Sequence, residues 1–337
     1  MSNILRPKVL LIGAGNIAQG FDDLGTTSVK THVKGYLYHG EFFNLDSVFD
    51  IDELLAEQVS KKWGIKNYTS KFSEIEGKYF DVISICTPDD THEFYLEKAL
   101  AMIPKVIFIE KPLGLSAEKA RHIFSYCIEH KIFLLVNYSR IFLEEFKSLR
   151  DSFLAGTMGK VLSATIRYHK GFYHNCSHFF NLLVFLLGPK YLSSFSTNAI
   201  YDYSPTDPSI SGTVVLEQSG YEFRLNFEAF DQSVLNMTEV DIMFENNRII
   251  YVESRGSWLH KYKTESYFDG IELKEYVSES SRLINYNLAM TNAIGLIKDF
   301  LSHGDDQIIK NYALLSLTTT EIMESIFEDY INNKQQI

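Results

Sequence analysis

The stretch KGFYHNCSH sets two imidazoles, His174 and His178, four residues apart at the head of the apolar run FFNLLVFLLG. Residues at that interval share one face of a helix, so the pair is open to three chemistries: metal ligation, packing in a core, or acid/base work. A helical zinc-protease pair carries a glutamate directly after its first histidine; here that place holds Asn175, and no metal is expected. An imidazole has an ordinary pKa near 6.5, and a helix start disfavours its protonated form. His178 is therefore the candidate proton acceptor, with His174 about one turn before it as a candidate relay or hydroxyl ligand.

A second constellation lies at the front of the chain. VLLIGAGNIAQG runs an apolar strand into Gly13-Ala14-Gly15-Asn16-Ile17-Ala18, a G-x-G-x-x-A fingerprint in the strand, turn and helix context that dinucleotide binding requires. Gly13 permits the turn. Gly15 lets a pyrophosphate approach the backbone, and the following residues, Asn16 and Ile17, offer N–H groups at a helix start. The second apolar strand ends at Asp50, the usual place for a carboxylate that binds the adenosine ribose hydroxyls, which favours NAD over NADP. Ala18 and Asp50 are 32 positions apart, against about 20 in the usual pattern. The surplus falls in FDDLGTTSVK, read as a loop inserted near the cofactor.

These residues need elements to hold them. From Lys8 to about Val136 short β-rich runs (VLLIG, DSVFD, DVISICT, KVIFIE, IFLLVNY) alternate with helical patterns (DELLAEQVSKKWG, THEFYLEKALA, SAEKARHIFSYCIEHK). The strands are almost continuously apolar, as parallel strands buried on both faces are. The expectation is an N-terminal doubly wound parallel sheet over residues 1–138. Residues 139–337 are expected to form an α+β domain with an open, mostly antiparallel sheet and helices on one face. Its strands are read in KVLSATIRYH, YLSSFSTNAIYDY, SGTVVLEQ, YEFRLNFEAF, TEVDIMFEN and NRIIYVES, and two helices near 283–302 and 309–332 close the chain.

Composition excludes other classes. With 32 Lys and Arg against 43 Asp and Glu the net charge is −11, and no basic cluster is long enough to track a phosphate backbone, so nucleic acid is not an expected partner. Phe179 to Leu187, the longest nearly uninterrupted apolar stretch, contains Asn181 and falls well short of the roughly 20 residues that span a bilayer. Cys86, Cys127 and Cys176 show no pairing pattern, and MSNILRPKVLLIGAG is not ordered like a secretory signal. A cytoplasmic protein is expected.

At IFIEKPLG a broader likeness emerges. The fingerprint at 13–18, Thr87-Pro88 with His92, Glu110-Lys111-Pro112, Asn137-Tyr138 and the segment 171–188 together resemble the glucose-fructose oxidoreductase / inositol dehydrogenase (Gfo/Idh/MocA) family. The resemblance implies a Rossmann domain and a second domain whose open sheet carries substrate and often a dimer or tetramer interface. It also implies hydride exchange between a nicotinamide and a carbinol of a sugar, cyclitol or nucleotide-sugar. It assigns Thr87, Pro88, His92, Glu110, Lys111 and Asn137 to the cofactor side. The family's late motif has an aspartate, a histidine four residues on and another aspartate three later; here those places hold His174, His178 and Asn181. Tyr168-His169-Lys170-Gly171 before the His-Asn pair is similar to a branch associated with surface-carbohydrate biosynthesis.

Alcohol oxidation needs a base for the hydroxyl proton and a donor for the oxygen. His178 is assigned the first role and Lys111 the second, at the carboxyl edge of the sheet where such folds bind ligands. Tyr138, Arg140, Tyr168, Tyr173 and Asn175 are expected to line a substrate pocket. A homodimer or homotetramer through the C-terminal sheet is expected. The alternative is a non-catalytic dinucleotide-binding sensor or assembly partner, prompted by the missing acids at 174 and 181.

Overall fold

A computed structural model describes residues 6–114, 116–268 and 271–334. The chain divides into two compact units, one running through residue 142 and including 287–317, the other comprising 143–286 and the residues from 318 on. In chain order the elements are β1 (Lys8–Ile12), α1 (His32–Tyr38), β2 (Asn44–Phe49), α2 (Glu53–Trp63), β3 (Asn67–Thr69), β4 (Val82–Ile85), α3 (His92–Ala101), β5 (Val106–Ile109), α4 (Ala117–Glu129) and β6 (Phe133–Val136). There follow α5 (Glu144–Leu154), β7 (Val161–Tyr168), α6 (Ser177–Leu187), β8 (Lys190–Ser204), β9 (Asp207–Gln218), β10 (Tyr221–Ala229), β11 (Glu239–Phe244) and β12 (Asn247–Val252). β13 (Ser257–Phe268), β14 (Ile271–Leu283), α7 (Ala289–His303) and α8 (Asp306–Lys334) complete the order.

In the first unit the strands pair in the order β3-β2-β1-β4-β5-β6, and every ladder is parallel. β4, β5 and β6 are buried at every residue, which is the state their unbroken apolar runs require. The crossover helices start and stop where their ends are satisfied. The Asp52 carboxylate accepts the Leu55 N–H at 3.1 Å and Ser116 Oγ accepts that of Lys119 at 3.3 Å, while α2 ends on Gly64 in the left-handed region.

The element after β1 departs from a simple helix. Asn16–Gly20 make one wide π turn, a loop follows, and α1 begins only after Thr31, whose hydroxyl accepts the Lys34 N–H. The loop is the FDDLGTTSVK insertion. It is organised by the buried Asp22, whose carboxylate accepts from Lys30 N, Thr31 N, Thr31 Oγ1 and Ser28 Oγ at 2.8–3.0 Å.

Residues 287–317, grouped in sequence with the second domain, cluster with the first unit. α7 buries Ala289, Met290, Ala293, Ile294 and Ile297, and a Cβ on Gly35 of α1 would overlap Ile294 and Met290. Close approach of two helices is the physical reason for the return.

The second unit carries a sheet of order β14-β13-β12-β11-β7-β10-β9-β8. β7 and β10 run parallel, and the other described ladders are antiparallel. Alternate residues of β10 and β11 are buried, the period-two pattern of a sheet with one packed face. Onto that face α6 delivers Phe180, whose ring lies 6.1 Å from Phe227 of β10. Among the described residues no helix is long and apolar enough to cross a membrane.

Candidate active site

Register builds the candidate site of the first unit. Ile12 pairs with Phe49 and with Ile85, Ile85 with Ile109, and Ile109 with Val136. The next residue of each strand therefore falls in one row at the carboxyl edge of the parallel sheet: Gly13, Asp50, Cys86, Glu110 and Asn137. Backbone bonds extend the ladder by this one step, from Gly13 N to Phe49 O (2.8 Å), Cys86 N to Ile12 O (2.7 Å), Glu110 N to Ile85 O (3.0 Å) and Asn137 N to Ile109 O (2.8 Å). The chain reverses its winding between β1 and β4, and ligands of open α/β sheets bind at such a switch point.

The glycines of the turn after β1 fit a dinucleotide. Gly13 sits at φ +92°, and a Cβ there would lie 2.8 Å from Cys86 O. Gly15 is exposed, and a Cβ on it would meet nothing within 4 Å; the space beside its backbone is open. Asp50 faces this turn, its Oδ2 accepting Ala14 N–H at 2.7 Å and its Oδ1 accepting Asp52 N–H at 2.9 Å. A carboxylate has about four acceptor positions, so two are left for a ribose diol. Thr87 Oγ1 is buried with no hydrogen-bond partner among the described residues, a polar atom that a bound ligand would satisfy. Asn16 is exposed and Ile17 half-buried on the turn.

The Lys111 side of the row is more deeply built. Glu110 is buried, and its Oε1 accepts Asn137 Nδ2 at 2.6 Å and lies 2.9 Å from His32 Nε2. Burial would raise the Glu110 pKa; the hydrogen bond and charge of His32, the bond from Asn137 and the charge of Lys111 outweigh it and hold the carboxyl below its ordinary range. The Lys111–Pro112 bond is cis, and Lys111 is half-buried. His92, at the start of α3, ties the two strand exits together, with Nδ1 2.6 Å from Pro112 O and Nε2 2.9 Å from Thr87 O. Pro88 is exposed beside Thr87. Tyr138 and Arg140, expected in a substrate pocket, are 5% and 3% exposed. His32 escaped the sequence reading; the local signal was a Thr cap followed by a histidine on the buried side of a short helix.

In the second unit, β7 leads into a corner around the two histidines. Lys170 and Gly171 both take positive φ, +68° and +85°, before a π turn, Phe172–Cys176, that passes into α6. Carboxylates from the β8–β9 hairpin hold this corner. Asp202 Oδ2 accepts Lys170 N–H at 2.7 Å, and Ser209 Oγ accepts Gly171 N–H at 2.7 Å while donating to Asp202 Oδ1 at 2.6 Å. Asp207 Oδ1 and Oδ2 accept the Tyr173 and His174 N–H groups, each at 2.8 Å. Burial raises the Asp207 pKa despite those bonds and the His174 charge.

Thus a carboxylate abuts His174 although the motif position itself has none. The His174 ring stacks on Tyr203 at 4.2 Å and 21°. His178 is the second residue of α6 and half-buried. Asn175 Nδ2 donates to His169 O at 2.8 Å. Asn181, fully buried, donates to Thr319 Oγ1 at 3.1 Å.

Tyr168 and Tyr173 were also read as pocket residues. The Tyr168 hydroxyl is pinned between the carbonyl and N–H of Ile210 (2.6 and 2.8 Å) with the side chain fully buried, which is a structural rivet. The Tyr173 ring packs at 5.1 Å from Phe327, and burial pushes its hydroxyl pKa well up. Nothing in the local sequence flags Asp202 or Asp207, because the hairpin that brings them is remote in the chain.

A Rossmann unit with a lysine at its fifth strand exit is what this fold and row define. Residues 7–138 match the model of the GFO_IDH_MocA oxidoreductase family, NAD-binding Rossmann fold. The chain is 29% identical over 204 residues to an inositol 2-dehydrogenase of Rhizobium meliloti strain 1021, covering 56% of this chain and 58% of that protein. The match thus spans little more than half of that relative's length. Levoglucosan dehydrogenase, solved with NADH and levoglucosan, superposes with TM-score 0.70 at 14% identity over 97% of this chain and 98% of that one. The WlbA dehydrogenase of Bordetella pertussis, solved with NADH and UDP-GlcNAcA, does so with TM-score 0.70 at 13% identity over 97% of both. At these identities the likeness is one of fold.

Proposed function

We propose that the protein is an NAD-dependent oxidoreductase acting on a CH–OH group of a sugar, cyclitol or nucleotide-sugar. The observation that carries this reading is the row at the sheet edge: a glycine turn with open space at Gly15, the Asp50 carboxylate beside it, the orphaned Thr87 hydroxyl, and Lys111 next to a buried anion. Gly13, Gly15, Asn16, Ile17, Asp50, Thr87, Pro88, His92, Glu110 and Asn137 hold or shape the cofactor seat. The Asp50 charge, with Ile51 and Asp52 as its neighbours, favours a ribose diol over a 2′-phosphate and hence NAD. When bound, the nicotinamide supplies the two-electron acceptor for the carbinol C–H.

The chain's own residues manage the proton and the charge. Lys111 donates a hydrogen bond to the reacting oxygen, where negative charge builds as the O–H proton leaves. His178 takes that proton, and His174, stacked on Tyr203 and adjacent to the Asp207 carboxylate, orients substrate hydroxyls. The named ligands of the relatives make inositols, levoglucosan and a UDP-linked sugar acid the first substrates to try. The YHKG variant of the corner favours the nucleotide-sugar end of that range and a place in surface-carbohydrate assembly.

The test is Lys111→Met. NADH fluorescence titration is expected to give near wild-type affinity, and NADH absorbance across the panel is expected to show turnover lost. Turnover that survives refutes the role of Lys111. A wild-type protein that binds NADH and turns over nothing in the panel shifts weight to the sensor reading. We also assign a cytoplasmic setting and self-association through the second unit's solvent-facing sheet side, where Phe195 stands at 62% exposure; light scattering after size exclusion reads the latter.

A further inference from the structure

We propose that His32 is a positioning residue for Lys111: acting through Glu110, it keeps an anion fixed beside the lysine. The inference rests on the reading of Lys111 given above and adds to it a residue from a different element. His32 is the first residue of α1 and 0% exposed. Its Nε2 lies 2.9 Å from Glu110 Oε1, and its ring lies 4.4 Å from that of Phe108. An ionised carboxylate only accepts, so the proton of this bond resides on Nε2.

The other ring nitrogen explains why packing alone is an insufficient account. His32 Nδ1 is buried with no hydrogen-bond partner among the described residues. A buried, unsatisfied polar atom costs stability, and an aliphatic side chain against Phe108 would avoid that cost. What the ring alone provides at this place is a donor to Glu110.

Glu110 needs one. It faces His32 from α1, Lys111 from the exit of β5 and the Cys86 thiol from the exit of β4, with the uncharged Asn137 from the exit of β6. Burial opposes its ionisation, and the His32 bond comes first among the contributions that reverse this. Without the ring, burial regains weight, Glu110 takes up a proton, and Lys111 loses its fixed counter-charge. The donor is itself held in place. The residue before it, Thr31, is bound through both its N–H and its hydroxyl to the buried Asp22, so the inserted loop anchors the helix turn that carries the imidazole.

The experiment is a carbon-13 NMR titration of protein labelled at the glutamate carboxyls, with Glu110→Gln identifying the Glu110 signal, in wild type, His32→Leu and His32→Gln. The Glu110 midpoint is expected below the ordinary glutamate range in wild type, shifted upward in His32→Leu, and returned toward wild type in His32→Gln, whose amide N–H also donates. With a substrate from the panel, kcat is expected to fall by about tenfold or more in His32→Leu, as misplacing a catalytic group does, while NADH affinity stays near wild type. An unmoved Glu110 midpoint in His32→Leu overturns the proposal.

Should that variant fail to fold, His32→Gln decides. A low midpoint with kcat kept within about tenfold supports the donor role, and a low midpoint with kcat lost refutes it. The titration is read without substrate, so a wrong role for Lys111 leaves it intact, and an unmoved midpoint leaves the Lys111→Met result standing.

Discussion

Gly13 and Gly15, two residues apart, make opposite predictions. At Gly13 an alanine would have to adopt φ +92° and place its Cβ 2.8 Å from Cys86 O and 3.1 Å from Thr87 Cγ2. The strained backbone costs roughly 1–3 kcal/mol. The carbonyl of Cys86 cannot swing aside, because its residue is held into the ladder by a 2.7 Å bond from Cys86 N to Ile12 O, so overpacking adds about 1–3 kcal/mol. Gly13→Ala is expected to lose about 4 kcal/mol, or about 8–16 °C in melting temperature for a unit of this size. Gly15 has φ −70° and open space around its missing Cβ. Gly15→Ala is expected to melt at or slightly above wild type, since the unfolded chain loses freedom. Its methyl would occupy the space reserved for a pyrophosphate, and NADH affinity is expected to fall about tenfold or more, or about 1.4 kcal/mol. Scanning fluorimetry and NADH titration on both variants read this contrast. A Gly13→Ala protein that melts with wild type, or a Gly15→Ala protein that binds NADH normally, refutes the cradle geometry.

Two more outcomes follow from the buried polar groups. Tyr168→Phe leaves the Ile210 N–H and C=O without their partner and is expected to cost about 1–3 kcal/mol in urea denaturation with NADH affinity unaltered; equal stability would show the rivet to be inert. Glu110 has a folded pKa below its ordinary 4.5, so its ionised form adds stability above about pH 4.5 that is lost as pH falls through the folded value. The stability gap between wild type and Glu110→Gln, about 1.5–3 kcal/mol near neutrality, is expected to close on acidification in urea denaturation; a gap that widens toward low pH contradicts the assignment.

The first sheet was largely legible because its chemistry is repetitive. VLLI, VISI, VIFI and FLLV announce strands buried on both faces, and each proved to be one. β3 escaped notice, being three residues long with two of them exposed. β13 and β14 were missed too: HKYKTES and ELKEY are rich in charged residues that mask the alternation. The site divided along similar lines. Gly13, Asp50, Glu110 and Asn137 each directly follow an apolar run, so the sequence could place them at strand ends, where the register sets them in one row. Asp202, Asp207 and His32 could not be placed, because their partners are set by tertiary register and helix packing. Tyr168 shows the reverse error: a pocket-like neighbourhood in sequence hid a side chain turned into the core.

The carboxylate that caps the histidine corner is borrowed from elsewhere in the chain. Anyone grafting residues 168–178 into a homologous scaffold to transplant specificity would therefore move only half of a device. Without Asp202, Asp207 and Ser209 from the neighbouring hairpin, the imported turn would arrive with its N–H groups of Lys170, Gly171, Tyr173 and His174 stripped of acceptors. A working chimera must carry both segments together.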